Sequence, residues 1–90
     1  MLVYFDQLDP TTYIASEKIL KDNNQYVKYY LDVEDIQKIK RFIRKNISKR
    51  VIFIKGKFKR EYALALKIKF KDNADEAFFL LHSSDGIEIT

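Results

Sequence analysis

Apolar residues recur along this chain with two different periods, and the change between them falls near Ser48. Val33, Ile36, Ile39, Ile43 and Ile47 follow helical spacing, which gathers them on one stripe of an α-helix. Asp32 stands where an N-cap is needed, and Glu34 and Asp35 put negative charge in the first turn, where the helix dipole favours it. Lys38, Arg41, Lys45 and Lys49 occupy the side away from the stripe. After Ser48 the period is two. Ile52, Ile54, Phe58, Tyr62, Leu64, Leu66, Ile68 and Phe70 hold even positions, and Lys55, Lys57, Lys59, Lys67, Lys69 and Lys71 hold odd ones, the alternation of half-buried strands.

That alternating run is too long for one strand and predicts a hairpin. Opposed residues share a face, so the apolar sets of both arms meet only in registers whose paired numbers sum to an even value. A two-residue turn at Gly56-Lys57 would set Ile54 against Lys59 and is rejected. Opposing Lys57 and Glu61 sets Ile54 against Leu64 and Ile52 against Leu66, and it gives Glu61 a cross-strand cation. Phe53 then faces Ala65, and Lys55 faces Ala63, on an outward side where small residues would admit a close-approaching chain. The expected core is Val33, Ile36, Ile39, Ile43 and Ile47 against Ile52, Ile54, Leu64, Leu66 and Ile68.

Elsewhere the pattern is shorter. Leu2 to Phe5 predicts a strand, followed by a turn over Asp6 to Pro10, since Pro10 has no N–H for a ladder. Tyr13, Ile14, Ile19 and Leu20 do not gather on one helical face, and Tyr26 to Leu31 is rich in β-formers, so 12–21 and 25–31 are expected to pair as a hairpin. Residues 77–82 carry mixed signals. Asn73 and Glu76 imitate a capping box, while Phe78-Phe79 and the Ser84-Asp85-Gly86 turn before Ile87 favour a strand hairpin, which is the expectation adopted. The sum is an α+β fold: a single domain over 1–90, mainly an antiparallel sheet of about six or seven short strands packed by one central amphipathic helix over about 33–47.

Composition removes several kinds of chemistry. The chain has no cysteine, and His82 is its only histidine, so disulfides and thiolate metal sites are excluded and no metal or other cofactor is expected. His82-Ser83-Ser84-Asp85 spells the letters of a catalytic triad, but triad members converge from separate segments, which four consecutive residues cannot do. With two glycines, Gly56 and Gly86, there is no phosphate-binding glycine loop. No basic leader with an apolar core and no membrane-length apolar run is present, so no membrane association is expected and a cytoplasmic setting is the default.

Charge changes the picture most. Between Ile36 and Lys71 fourteen Lys and Arg face one acid, Glu61, a net of +13, whereas the remainder has three lysines and twelve acids, a net of −9. Merely solvated surfaces mix signs, so the positive block points to a polyanionic or acidic partner. The candidate contact residues are Lys38, Arg41, Lys45, Lys49, Arg50, Lys55, Lys57, Lys59, Arg60, Lys67, Lys69 and Lys71. The leading expectation is a small non-enzymatic nucleic-acid-binding protein that uses this surface on phosphates. The alternative is an inhibitor or adaptor, of the kind found in phage and other mobile elements, that docks on an acidic or nucleic-acid-binding protein. A homodimer between unlike patches is compatible with it. A third expectation is a toxin-type ribonuclease built on Glu61 with Arg60 and Tyr62. Tyr26, Tyr29 and Tyr30 could stack on bases, although packing within the sheet explains them more simply.

Overall fold

The computed structural model describes residues 1–57 and 64–90. In chain order the elements are β1 (Leu2–Asp9), β2 (Thr12–Lys21), β3 (Asn24–Lys28), α1 (Val33–Asn46), β4 (Ile52–Lys57), β5 (Leu64–Lys69), α2 (Asn73–Ser83) and β6 (Ile87–Glu88). Among the described residues, six strands form one antiparallel sheet ordered β4-β5-β2-β1-β6, with β3 also paired to β2. The fold is α+β, as expected. One apolar cluster joins Ile36, Ile39 and Ile43 of α1 and Phe79 of α2 to Val3, Tyr13, Ala15, Leu66 and Ile68 of the sheet. Cross-strand pairing puts these sheet residues on a common face, so both helices cover the same side and the other side stays open.

Local chemistry accounts for the turns. Lys21 pairs with Asn24, and Asp22 and Asn23 between them adopt positive φ of 52° and 64°, the backbone of a two-residue hairpin turn matched to strand twist. The 12–21 hairpin is therefore present, although its second arm ends at Lys28. β1 runs on through Asp9 instead of turning after Phe5. The Asp9 carboxylate accepts the Thr11 N–H at 3.0 Å around Pro10, and this bond draws its pKa below the usual carboxylate value. Gly86 has φ of +84°, and a Cβ there would lie 3.0 Å from the Leu2 side chain, so the turn into β6 needs glycine.

Two sequence expectations fail, each for a physical reason. Residues 77–82 are helical, not a strand. The Asp72 carboxylate accepts the N–H groups of Ala74 and Asp75 at 2.8 and 3.2 Å, so the helix is nucleated by a cap that outweighs the β-propensity of its aromatic pair. It is anchored by Phe79, whose ring centroid lies 4.8, 5.0 and 5.2 Å from those of Phe70, Phe5 and Tyr13. Ile87 and Glu88 pair with β1 and not with this segment.

The β4–β5 register is the second correction. Ile54 lies opposite Lys67, Phe53 opposite Ile68 and Lys55 opposite Leu66, so paired numbers sum to an odd value. No turn forms at Gly56-Lys57, which pair with Ala65 and Leu64. In β5 the even residues Leu66 and Ile68 are buried, but on the other arm the odd residues Val51, just before β4, and Phe53 turn toward the helices, leaving Ile52 and Ile54 38% and 42% exposed. Even-sum pairing follows only if each arm buries its larger aliphatic set. At an edge strand, burial depends on which face the helix covers, and Val51 and Phe53 supply comparable apolar surface there. Val33, 57% exposed, is likewise outside the core. Lys57 has Leu64 opposite it and not Glu61 as expected; Glu61 itself lies outside the described residues.

This arrangement makes opposite demands on aliphatic residues that the sequence assigned to one core. Leu66→Ala or Ile39→Ala should cost about 2–5 kcal/mol, while Ile54→Ala should stay within about 0.5 kcal/mol; denaturant unfolding of the three variants distinguishes this register from the even one. Tyr13 gives a second check. Burial, and then its hydrogen bond to the Glu76 carboxylate at 3.0 Å, pushes its phenol up to about 12. Because the folded value is raised, this stabilisation is complete below the unfolded value of 10.0 and is lost as pH rises through the folded one. A phenolate absorbance titration should show a late step that Tyr13→Phe removes.

Candidate functional site

The cations group according to what each one meets. Among the described residues the ion pairs are the Met1 amino group with Glu88, and Arg50 with Asp72 and Asp75 at 3.3 and 3.6 Å. Arg50 is thus committed to structure. Its backbone N–H also reaches the Ser48 hydroxyl at 3.0 Å, and that hydroxyl donates to Asp75 at 2.6 Å, tying the α1–β4 loop to the start of α2. Lys38, Lys40, Arg41, Arg44, Lys45, Lys49, Lys55, Lys67, Lys69 and Lys71 take part in none of these ion pairs.

α1 carries the first group because its buried stripe leaves the rest of the cylinder to polar residues. Arg41 and Lys45 are exposed and Lys38 is half-buried. Together with Phe42 they form one wall of a cleft of about 560 Å³, whose other wall is Glu88 and Ile89. Lys49 is exposed just beyond the helix. Arg44 and Lys45 sit in the last turn, where cations complement the helix dipole. That explanation does not reach Lys38, Lys40 or Arg41, which lie further from the C-terminus.

On the opposite flank, α1 faces edge strand β4. The Arg44 guanidinium carbon lies 4.9 Å and the Lys40 ammonium 5.6 Å from the Phe53 ring centroid, within reach of a cation–π attraction. Lys55 lies on the same sheet face, being opposite buried Leu66. Partial burial, and then the positive charges of Lys55 and Arg44, lower the Lys40 pKa. Two like charges therefore lie over one ring, and the third, Lys55, is close enough to Lys40 to act on it. Lys40 and Arg44 were missed as candidates because they flank the stripe instead of opposing it. Their i,i+4 spacing, ahead of an aromatic on the next strand, was the signal.

Lys67 and Lys69 lie elsewhere. Lys67 pairs with Ile54 and Ile14, and Lys69 with Ile52 and Thr12, which places both on the open face of the sheet. The basic block is therefore two surfaces separated by the sheet. Asp6 sits in the same cross-strand row as Lys67. The Tyr29 hydroxyl donates to it at 2.8 Å, over a shallow depression of about 450 Å³ beside Ile14 and Leu8. Ala65, expected to be an open small-residue position, is buried. Lys71 is exposed in the loop before α2, and Tyr26 and Tyr30 are exposed beyond the core. His82 is exposed on α2, its ring 4.3 Å from that of Phe78. Lys59, Arg60, Glu61 and Tyr62 lie outside the described residues, and of Lys57 only the backbone is described.

Among the described residues no group of acids and histidine is arranged to hold a metal ion, and no helix is long and apolar enough to cross a membrane. Comparison with family models, curated proteins and solved structures finds no match.

The division between committed and uncommitted cations has a measurable consequence. Arg50→Gln should lower Tm, its exposed pairs contributing at most about 1 kcal/mol. Arg41→Gln should leave Tm unchanged or raise it, most clearly at low salt, because it thins a like-charged ridge. Thermal unfolding of both variants at two ionic strengths checks this.

Proposed function

We propose that this protein binds nucleic acid without catalysis, using the solvent side of α1 and the adjoining edge of β4 on phosphates. One observation carries the reading: Lys38, Arg41 and Lys45 on one flank of α1 and Lys40, Arg44 and Lys55 on the other lie on the helix side of the sheet, and none is engaged by the ion pairs among the described residues. A stability role would favour interspersed acids, because unneutralised like charges repel across a helix surface. A polyanion removes that repulsion and releases its own counterions, which gives affinity without requiring base contacts.

A second reading has its own observation. Ile52 and Ile54 are exposed beside Lys67 and Lys69 on the open face, and a surface mixing apolar and basic residues suits an acidic or nucleic-acid-binding protein better than it suits phosphate. In that reading the open face is the docking side, and the protein acts as an inhibitor or adaptor.

The test is affinity for a single-stranded oligonucleotide as salt is raised. About four to seven phosphate contacts, each adding about −0.7 to the log–log slope, predict a roughly 50- to 900-fold loss over a fourfold rise in salt. The triple variant Lys38→Glu, Arg41→Glu, Lys45→Glu should lose most of the affinity, whereas Lys67→Glu with Lys69→Glu should lose little. Salt-insensitive binding, or loss confined to the open-face variant, overturns the reading in favour of the second.

A further inference from the structure

We infer that Lys40, Arg44 and Lys55, gathered around Phe53 where α1 meets edge strand β4, form a seat for a dianionic phosphate group. The inference deepens the nucleic-acid reading by naming one place where a phosphate lodges, and it rests on that reading only for the source of the phosphate.

The geometry has three parts. Two cations come from successive turns of one helix and the third from the adjoining strand, so two elements bring their charges to one flank of α1. Both helix cations lie against the same ring, Arg44 at 4.9 Å and Lys40 at 5.6 Å from its centroid. Contact with the ring limits their freedom before a ligand arrives, which reduces the ordering cost of binding. Second, Lys55 is directed to this side by its pairing with Leu66 and is exposed at the sheet edge, so the group is open to solvent. Third, the Lys40 pKa is lowered first by partial burial and then by the positive charges of Lys55 and Arg44, so its charged neighbours are cations. Unlike Arg50, which meets two carboxylates, this trio carries repulsion that an anion would relieve.

The choice of a dianion follows from charge. Three cations on one flank match a phosphomonoester, which carries close to two negative charges at neutral pH, better than a singly charged internal phosphodiester. Arg44 supplies a planar fork that can bind two phosphate oxygens, with Lys40 and Lys55 as point charges for the others. The alternative is that Lys40 and Arg44 only shield Phe53 with their aliphatic stems, in which case no specific anion affinity follows.

The experiment titrates the full chain, isotope-labelled, with inorganic phosphate and with chloride at matched ionic strength, following the amide signals of residues 38–55 and the side-chain signals of Lys40 and Arg44. Saturable shifts with phosphate at Lys40, Arg44, Phe53 and Lys55, absent with chloride, are expected. Lys55→Gln and Arg44→Gln should each weaken phosphate binding roughly tenfold or more, and Lys69→Gln should not. The amide spectrum of each variant reports whether it is folded, and Lys55 is exposed, so at least one informative variant is available. Identical responses to chloride and phosphate, or shifts spread equally over Lys38, Arg41 and Lys45, overturn the seat. The two proposals fail separately. Phosphate binding without oligonucleotide binding keeps the seat and removes the nucleic-acid function, while oligonucleotide binding unaffected by Lys55→Gln and Arg44→Gln does the reverse. A 5′-phosphorylated oligonucleotide binding more tightly than its 5′-hydroxyl counterpart would identify a strand end as the source. Equal binding of the two, with inorganic phosphate still saturating the seat, would identify free phosphate.

Discussion

Lys55 lies opposite Leu66 across β4 and β5, and that pairing decides where much of the basic block ends up. Because β5 must bury Leu66 and Ile68 beneath the helices, the odd residues of β4 turn to the same side. Phe53 comes under α1, Lys55 beside Lys40, and Ile52 and Ile54 go to the open face with Lys67 and Lys69. A register shifted by one residue would exchange these sets. The cations of α1 would then meet two isoleucines in place of an aromatic ring and a lysine, and the open face would gain Lys55. The electrostatic character of both surfaces is thus a by-product of core packing at one edge strand.

Among the described residues the side-chain ion pairs between Arg or Lys and an acid are concentrated where the α1–β4 loop meets the start of α2. Ser48 and Arg50 hold Asp72 and Asp75 at the start of α2, a helix whose buried anchor is Phe79. The hydrogen bonds from Ala74 and Asp75, together with Arg50, keep the Asp72 carboxyl below its ordinary pKa. Acid should therefore release this junction as pH falls through that lowered value. Several acids are held away from the basic side of α1 by backbone or hydroxyl donors, as Asp9 is by Thr11, Asp6 by Tyr29 and Glu76 by Tyr13. That distribution is why the modest overall charge conceals a strongly positive helix side.

How much of this was legible depended on how many residues each element commits to the core. α1 buries Ile36, Ile39 and Ile43, and that spacing predicted the helix within a residue of its observed end. The β2–β3 hairpin was legible through its β-formers and through the absence of a helical face in 12–21. α2 was misread because it buries one aromatic and exposes Phe78, Leu80 and Leu81, so it has little amphipathic period to detect. Its decisive signal was a cap one residue before the one considered. The β4 face was misread because aliphatic count was used where the helix's position decides burial. On the candidate surface, Lys38, Arg41 and Lys45 were found by their distance from the stripe, and Lys40 and Arg44 were lost because residues beside a stripe look like its margin until the ring they cover is known.

The central claim is that a partner polyanion engages the α1 side of the molecule and not the open face, and mapping amide shifts while a single-stranded oligonucleotide is added at low salt tests it most directly. The account predicts that the largest changes fall between Lys38 and Lys55, with those at Ile14, Lys67 and Lys69 small. Changes centred on Ile14, Lys67 and Lys69, or no changes at saturating oligonucleotide, would contradict it.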